Sequence, residues 1–243
     1  MPRVLLIFCL LLAPVSARAL ELVAYVLPPY VYDRNGEAFG PAIDLALELL
    51  KAADIEGEFN TLPLPRFTRD IIAGDRIGVF RSRSPELEEK MQWVVPFATG
   101  RGGFVTLAPE PAPTSLQEAY GLGRIGVVHG SVSERRLGEK SLLLASAPDE
   151  AANVQALLAG RIPVWLAPLN SLDALLADQH IPKSALSIGP TVVEYDHYIV
   201  ASLDVPAPII EIMRKRYREL VANGTVQHLM TPAAPGQTFQ RAD

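Results

Sequence analysis

The chain has 243 residues and carries 22 Lys and Arg against 27 Asp and Glu, a net charge of −5 with its 4 His neutral. That balance, with the acids scattered, argues against a basic nucleic-acid or anionic-lipid surface and describes a solvated exterior. One cysteine excludes a disulfide framework or a CxxC site.

Arg3, the apolar run Val4 to Leu12 and the stretch "APVSARA" have the order of a secretory signal peptide, with cleavage expected after Ala19 and a periplasmic destination. The run is far short of the roughly 20 apolar residues of a membrane span. Cys9 lies inside it, so the mature chain is expected to carry no thiol. Losing Arg3 and Arg18 as well would deepen the net charge from −5 to −7.

The mature chain opens with a β-rich segment, Leu22 to Val26, stopped at Pro28-Pro29 and followed by a loop with Tyr30 and Tyr32. Asn35-Gly36 signals a hairpin. Pro41 starts a helix in which Ile43, Leu47 and Leu50 recur with helical period. "EGEFNTLPL" reads as a second strand, "PRFTRDIIAG" as a helix ended by Gly74, and "RIGVF" as a third strand. "SPELEEKM" predicts a helix capped by Ser84 with Pro85 in its first position. Such alternation predicts a parallel or mostly parallel sheet covered by helices.

Residues 96–114 are rich in Gly and Pro and predict an irregular crossing that ends in a polar loop. The alternation then restarts. "SLQEAYG" and "SVSERRLGE" are helices with capping boxes, Ser115 with Glu118 and Ser131 with Glu134, around the strand "RIGVV". "DEAANVQALLAGR" is a helix, "IPVWLA" a strand and "SLDALLAD" a helix. A second polar crossing near Glu194–His197 leads to the strand "HYIVASL". A long amphipathic helix, "APIIEIMRKRYRELVANG", stops at Asn223-Gly224. Residues 231–243 are expected to form a flexible tail.

"GLGRIG", residues 121–126, has the glycine spacing of a dinucleotide fingerprint. There the glycines follow a strand and open a helix. Here Gly121 follows a helix and precedes a strand, the inverse order. Gly130 is better placed, after "RIGVV" and directly before Ser131, at the strand edge where ligands bind in open α/β sheets.

Five stretches in this order resemble the extracellular solute-binding proteins of family 3, the amino-acid type that serve ABC transporters. They are "PPYVYDRNGEAFGPAIDLALELL", "SRSPELEEKMQWVVPF", "RIGVVHGS", "ALLAGRIPVWLA" and "IIEIMRKRYRELVANGTVQHLM". The resemblance implies a bilobal α/β fold of the periplasmic-binding-protein type II class, two mixed-sheet lobes joined by two hinge crossovers. Lobe one would take residues 20–98 and 194–230, and lobe two residues 99–193. It further implies a monomer that captures a small polar solute between the lobes, without a cofactor, and hands it to the membrane permease of an ABC transporter.

The chain departs from the pattern at both charged ends of the amino-acid clamp. Leu87 stands where the family has the arginine that holds an α-carboxylate, and Pro168 where it has the aspartate that holds an α-ammonium. Hydrogen bonds to charged groups contribute roughly 1.5–3 kcal/mol each. A standard α-amino acid is therefore not the expected ligand.

The expectation is instead an anionic group read by Arg81 or Arg83, with the hydroxyls of Ser82 and Ser131 and the helix starts at Ser84 and Ser131. An equal alternative pairs these arginines with Glu86, Glu88 and Glu89 on the surface. Tyr30 is a candidate aromatic wall, Arg66 a candidate at another strand-to-helix edge, and Asn170 a neutral substitute for the missing aspartate. Trp165, in mid-strand, is a candidate for which core packing is the stronger reading.

His129, His180, His197 and His228 have no metal-ligand spacing, so no metal is expected. No nucleophile elbow is present. No catalytic residue is assigned. Two alternatives stay open: an enzyme resembling the cyclohexadienyl dehydratases, with Asp33 or Asp173 as the nearest acids, and a ligand sensor.

Overall fold

The structure, a computed structural model, describes residues 20–138 and 143–231. The predicted signal peptide, and the predicted tail beyond Thr231, lie outside them. Among the described residues no helix is long and apolar enough to cross a membrane.

The first half builds β1 (Glu21–Ala24), the hairpin β2 (Tyr32–Arg34) and β3 (Glu37–Phe39), α1 (Pro41–Lys51), β4 (Asn60–Thr61), α2 (Leu64–Ala73) and β5 (Arg76–Ser82). Asn35 and Gly36 both have positive φ, 55° and 92°, as a two-residue turn matched to strand twist requires. β1 lies parallel to β4 and β5, as the alternation predicts. Gly78 of β5 packs under α2, where a Cβ would stand 2.5 Å from the Phe67 ring and 2.8 Å from Ile71. Both neighbours are fully buried. Gly78→Ala is expected to cost about 1–3 kcal/mol by overpacking, read as a lower urea midpoint with an unchanged slope.

The helix expected from Ser84 is only a 3₁₀ turn, Pro85–Leu87, and Ser84 makes no capping bond. Leu87 is drawn into the core at 5% exposure, which ends the turn early. The crossing expected over 96–114 is a 16-residue strand, β6 (Gln92–Leu107). It pairs antiparallel with an equally long β10 (Leu186–Ala201), which likewise replaces the crossing expected at Glu194–His197. The glycines of β6 do not break it. A Cβ on Gly100 would collide with the His197 and Tyr195 rings of β10, so glycine permits close side-chain approach rather than a loop.

Between these strands lie α3 (Leu116–Leu122), β7 (Ile125–Val128), α4 (Val132–Gly138), β8 (Leu144–Ala147), α5 (Glu150–Leu158), β9 (Val164–Pro168) and α6 (Leu172–Asp178). α7 (Ala207–Ala222) and α8 (Thr225–Met230) follow β10. β8, with four residues, and α8, with six, are too short to show a period in sequence. Ser115 accepts from the Glu118 N–H at 3.2 Å and Ser131 from the Glu134 N–H at 3.0 Å, as capping predicts.

The strands form one mixed sheet in the order β2-β3-β4-β1-β5-β10-β6-β9-β7-β8. The fold is bilobal, but β6 and β10 run through both lobes, so a single sheet replaces the two expected. The largest core cluster joins β1 and β5 to α1 and α7. Two smaller clusters cover opposite faces of β9, Trp165 on one and Val164 and Leu166 on the other, by strand alternation.

Candidate functional site

A cavity of about 40 Å³ lies between the ends of β1 and β5, the middle of β10 and the starts of α4 and α5. Its polar lining comes from five elements: Tyr25 after β1, Arg81 and Ser82 on β5, Ser131 and Ser133 at α4, Glu150 on α5, and Tyr195 and His197 on β10. Leu27, Leu64, Phe80, Val128 and Pro168 supply apolar wall.

β5 delivers Arg81 by a bulge. β10 pairs Tyr198 with Arg81 but Ile199 with Val79, so Phe80 is the extra residue. Its φ is 82°, a strained value for a bulky side chain, of order 1–3 kcal/mol. A bulge shifts the alternation by one and re-aims the side chains after it. Phe80 thereby lies over His197, ring centres 4.1 Å apart, and Arg81 turns inward.

Arg81 is 1% exposed and forms no ion pair among the described residues. Its Nη2 donates to the Gly130 carbonyl at 3.1 Å, across the lobes, and its buried Nε has no partner. Burial, with Arg135 nearby, lowers its pKa to about 9, so it stays cationic at neutral pH. Arg135 shares the same carbonyl at 2.8 Å and lies 4.0 Å from Glu86.

Glu150 opens α5 behind the Asp149 cap. Its Oε2 accepts from Trp165 Nε1 at 3.0 Å and from Asn153 Nδ2 at 3.4 Å. Burial pushes its pKa up to about 7; those two donors work against the shift and Asp149 adds to it. His197 Nδ1 meets Ser82 Oγ at 3.1 Å. Burial, and then the Arg81 charge, push His197 down to about 3, so its ring is neutral. Burial raises the Tyr25 and Tyr195 phenols, keeping both protonated.

The structure brings Arg81, Ser82 and Ser131 to one cavity. It places the other sequence candidates elsewhere. Arg83 lies just past the end of β5 and is held by Glu88 and by the Tyr198 hydroxyl at 3.2 Å, away from the cavity lining. Arg66 is a solvated helix residue paired with Asp70 at 3.4 Å. Trp165 is fully buried in the core and reaches the site only through its bond to Glu150. Tyr30 is buried against Phe80 and Phe97, its hydroxyl beside Asn170. Asn170 holds the Arg101 N–H at 2.8 Å, near the strands that cross between lobes.

The predicted helix starts are closed. The Glu134 carboxylate takes the Gly130 N–H at 2.6 Å, and the Ser131 hydroxyl takes that of Glu134. Asp33 braces the hairpin through Thr61, and Asp173 pairs with Lys183 at 2.6 Å on the surface. Sequence reasoning missed Tyr25, Glu150, Tyr195 and His197. The alternation of Val193, Tyr195 and His197 opposite the glycines of β6 was the available signal for two of them. Among the described residues no cluster of His, Cys, Asp and Glu could hold a metal ion.

No family model and no curated protein matches the sequence. Solved structures do match in fold. A P235GK mutant of ArgBP from T. maritima superposes with TM-score 0.75 at 16% identity, covering 87% of this chain and 93% of that one. A histidine kinase sensor domain with similarity to periplasmic binding proteins gives 0.78 at 14%, covering 87% and 95%. The GluR0 ligand-binding core from Nostoc punctiforme, in complex with (L)-glutamate, gives 0.72 at 18%, covering 86% and 96%.

Proposed function

We propose that this chain is a divergent family 3 solute-binding protein that closes two lobes over a small anionic solute. Lobe one takes residues 20–98 and 194–230, and lobe two residues 99–193. The protein is exported to the periplasm and acts as a monomer that delivers its solute to an ABC permease. The observation that carries this reading is Arg81, a buried cation without an anionic partner, lining the cavity between the lobes. An uncompensated buried charge is costly, and a ligand carboxylate or similar anion would supply what the protein withholds. The glutamate in the GluR0 core and the arginine in an ancestral arginine-binding protein both carry a carboxylate.

A thermal-shift titration with small carboxylates, phosphate and sulfate tests it. A ligand at 100 times its Kd stabilises by about 2.7 kcal/mol, a rise of roughly 5–10 °C for a protein of this size. If none of these anions moves the melting temperature, the reading fails. One observation favours the dehydratase-like alternative: Glu150 is a cavity carboxylate that titrates near neutrality, as an acid–base group does. Loss of water from a hydroxylated cyclohexadiene carboxylate, followed by absorbance, would favour it over binding alone.

A further inference from the structure

The cavity is lined by two chemically different groups, the cation Arg81 and the carboxyl group of Glu150. Tyr25 also lines it, close enough to feel both charges. Its hydroxyl makes no hydrogen bond to protein among the described residues. Both donors that reach Glu150 meet Oε2, which leaves Oε1 unengaged. Those donors are the neutral N–H groups of an indole and an amide, and no cation stands within ion-pair distance of Glu150 among the described residues.

The surroundings of Glu150 can be taken element by element. Its own helix start brings Asp149, a like charge, and Asn153. β9 brings Trp165. β1 brings Tyr25, and β10 brings Tyr195, a protonated phenol flanked by Ser133 and Arg136 of α4. Arg81 on β5 acts on Tyr25 but is not among the groups that shift Glu150. Nothing in this shell favours the carboxylate over the acid except two neutral hydrogen bonds.

We propose that the solute is a short hydroxy- or oxo-carboxylate, its carboxylate on Arg81 and its uncharged oxygen received by Tyr25 and by Glu150 as a proton donor. The assignment rests on the anion-binding reading and narrows it. The site then offers one positive charge and hydrogen-bond donors, which a hydroxy or oxo acid matches. An α-amino acid would instead need Glu150 ionised, in a wall that disfavours the ion. The cavity of about 40 Å³ has room for a few water molecules, which a short-chain acid would displace.

Proton linkage distinguishes the two ligand classes. With Glu150 titrating at about 7, a complex that needs the acid form weakens about tenfold between pH 6 and pH 8 and takes up protons. A complex with an ammonium ligand tightens over the same range and releases them. The experiment is calorimetric titration of the purified protein with lactate, pyruvate, glycine and L-alanine at pH 6 and pH 8, in buffers of different ionisation enthalpy.

Lactate or pyruvate should bind, weaken about tenfold at the higher pH and take up protons. Glu150→Gln, whose amide donates but does not titrate, should lose the pH dependence of binding. If that variant does not fold, the wild-type pH profile decides by itself. Binding of alanine or glycine that tightens with pH, with no binding of lactate or pyruvate, overturns this assignment and leaves the anion reading standing. Hydroxy-acid binding that is flat in pH also overturns it. If phosphate, sulfate and every carboxylate fail together, the anion reading falls with it.

Discussion

Arg81→Met should melt several degrees above the wild type and bind no anion. The two effects have one cause. The guanidinium is 1% exposed, has an Nε without a partner and no carboxylate at ion-pair distance among the described residues, and burial together with the like charge of Arg135 outweighs the more distant Glu86. Replacing buried charges by apolar side chains of similar volume is often neutral or stabilising by about 1–4 kcal/mol. Methionine is flexible enough to fill the space. The Gly130 carbonyl keeps its bond from Arg135 at 2.8 Å, so the change leaves no acceptor bare. Binding should fall by at least about a hundredfold, since two hydrogen bonds from a charged donor contribute roughly 3–6 kcal/mol together. Differential scanning fluorimetry and titration with the strongest anion from the screen read both. A variant that melts lower and binds as before would mean that Arg81 holds the lobes together and serves no ligand.

The contributions of His197 and Glu150 to stability should cancel between about pH 4.5 and 6.5, and two substitutions should uncover them with opposite signs. His197 is held at about 3 against an ordinary 6.5. The unfolded chain therefore binds the extra proton in that window, and the stability this group contributes is lost as pH falls from 6.5 toward 3. Glu150 is held at about 7 against 4.5. Here the folded state binds the extra proton, and its contribution, complete below 4.5, is lost as pH rises through 7. The two slopes are equal and opposite where the windows overlap.

His197→Phe keeps a ring against Phe80 but removes the first slope. Measured against the wild-type profile by urea unfolding, that variant should gain about 3 kcal/mol at pH 4.5 relative to pH 7.5. Glu150→Gln removes the second slope, so against the same profile it should lose about 3 kcal/mol at pH 4.5 relative to pH 7.5, each figure following from about 1.4 kcal/mol per unit of pKa shift. Parallel profiles for wild type and both variants would show that neither group titrates as its surroundings dictate. His197→Phe also leaves Ser82 without its partner, a cost that does not vary with pH and so does not blur the comparison.

The elements legible in the sequence were those with local chemistry. Asn35-Gly36 turns a hairpin, Pro41 starts α1, and Ser115 and Ser131 cap their helices, each through bonds made within a few residues. β6 reads as a crossing because Gly and Pro are strand breakers in isolation, and the middle of β10 because Glu194–His197 is polar. Gly100 is glycine for a reason 97 residues further on, where His197 leans over it. No local rule carries that information.

The site divides in the same way. A loop with Arg81, Arg83 and their serines was visible as a place for an anion, since cations at a strand end are cations in any fold. The inward turn of Arg81 depends on one extra residue, Phe80, set against β10, and Arg83 falls outside the strand altogether. Glu150 lies in a stretch legible only as a helix and is a cavity acid because β9 puts Trp165 against it. Residue type, charge and helix ends thus belong to the sequence alone, because they depend on bonds a few residues long. Strand register, the inward turn of Arg81 and the protonation of Glu150 and His197 belong to the tertiary structure, because burial and field come from groups far away along the chain.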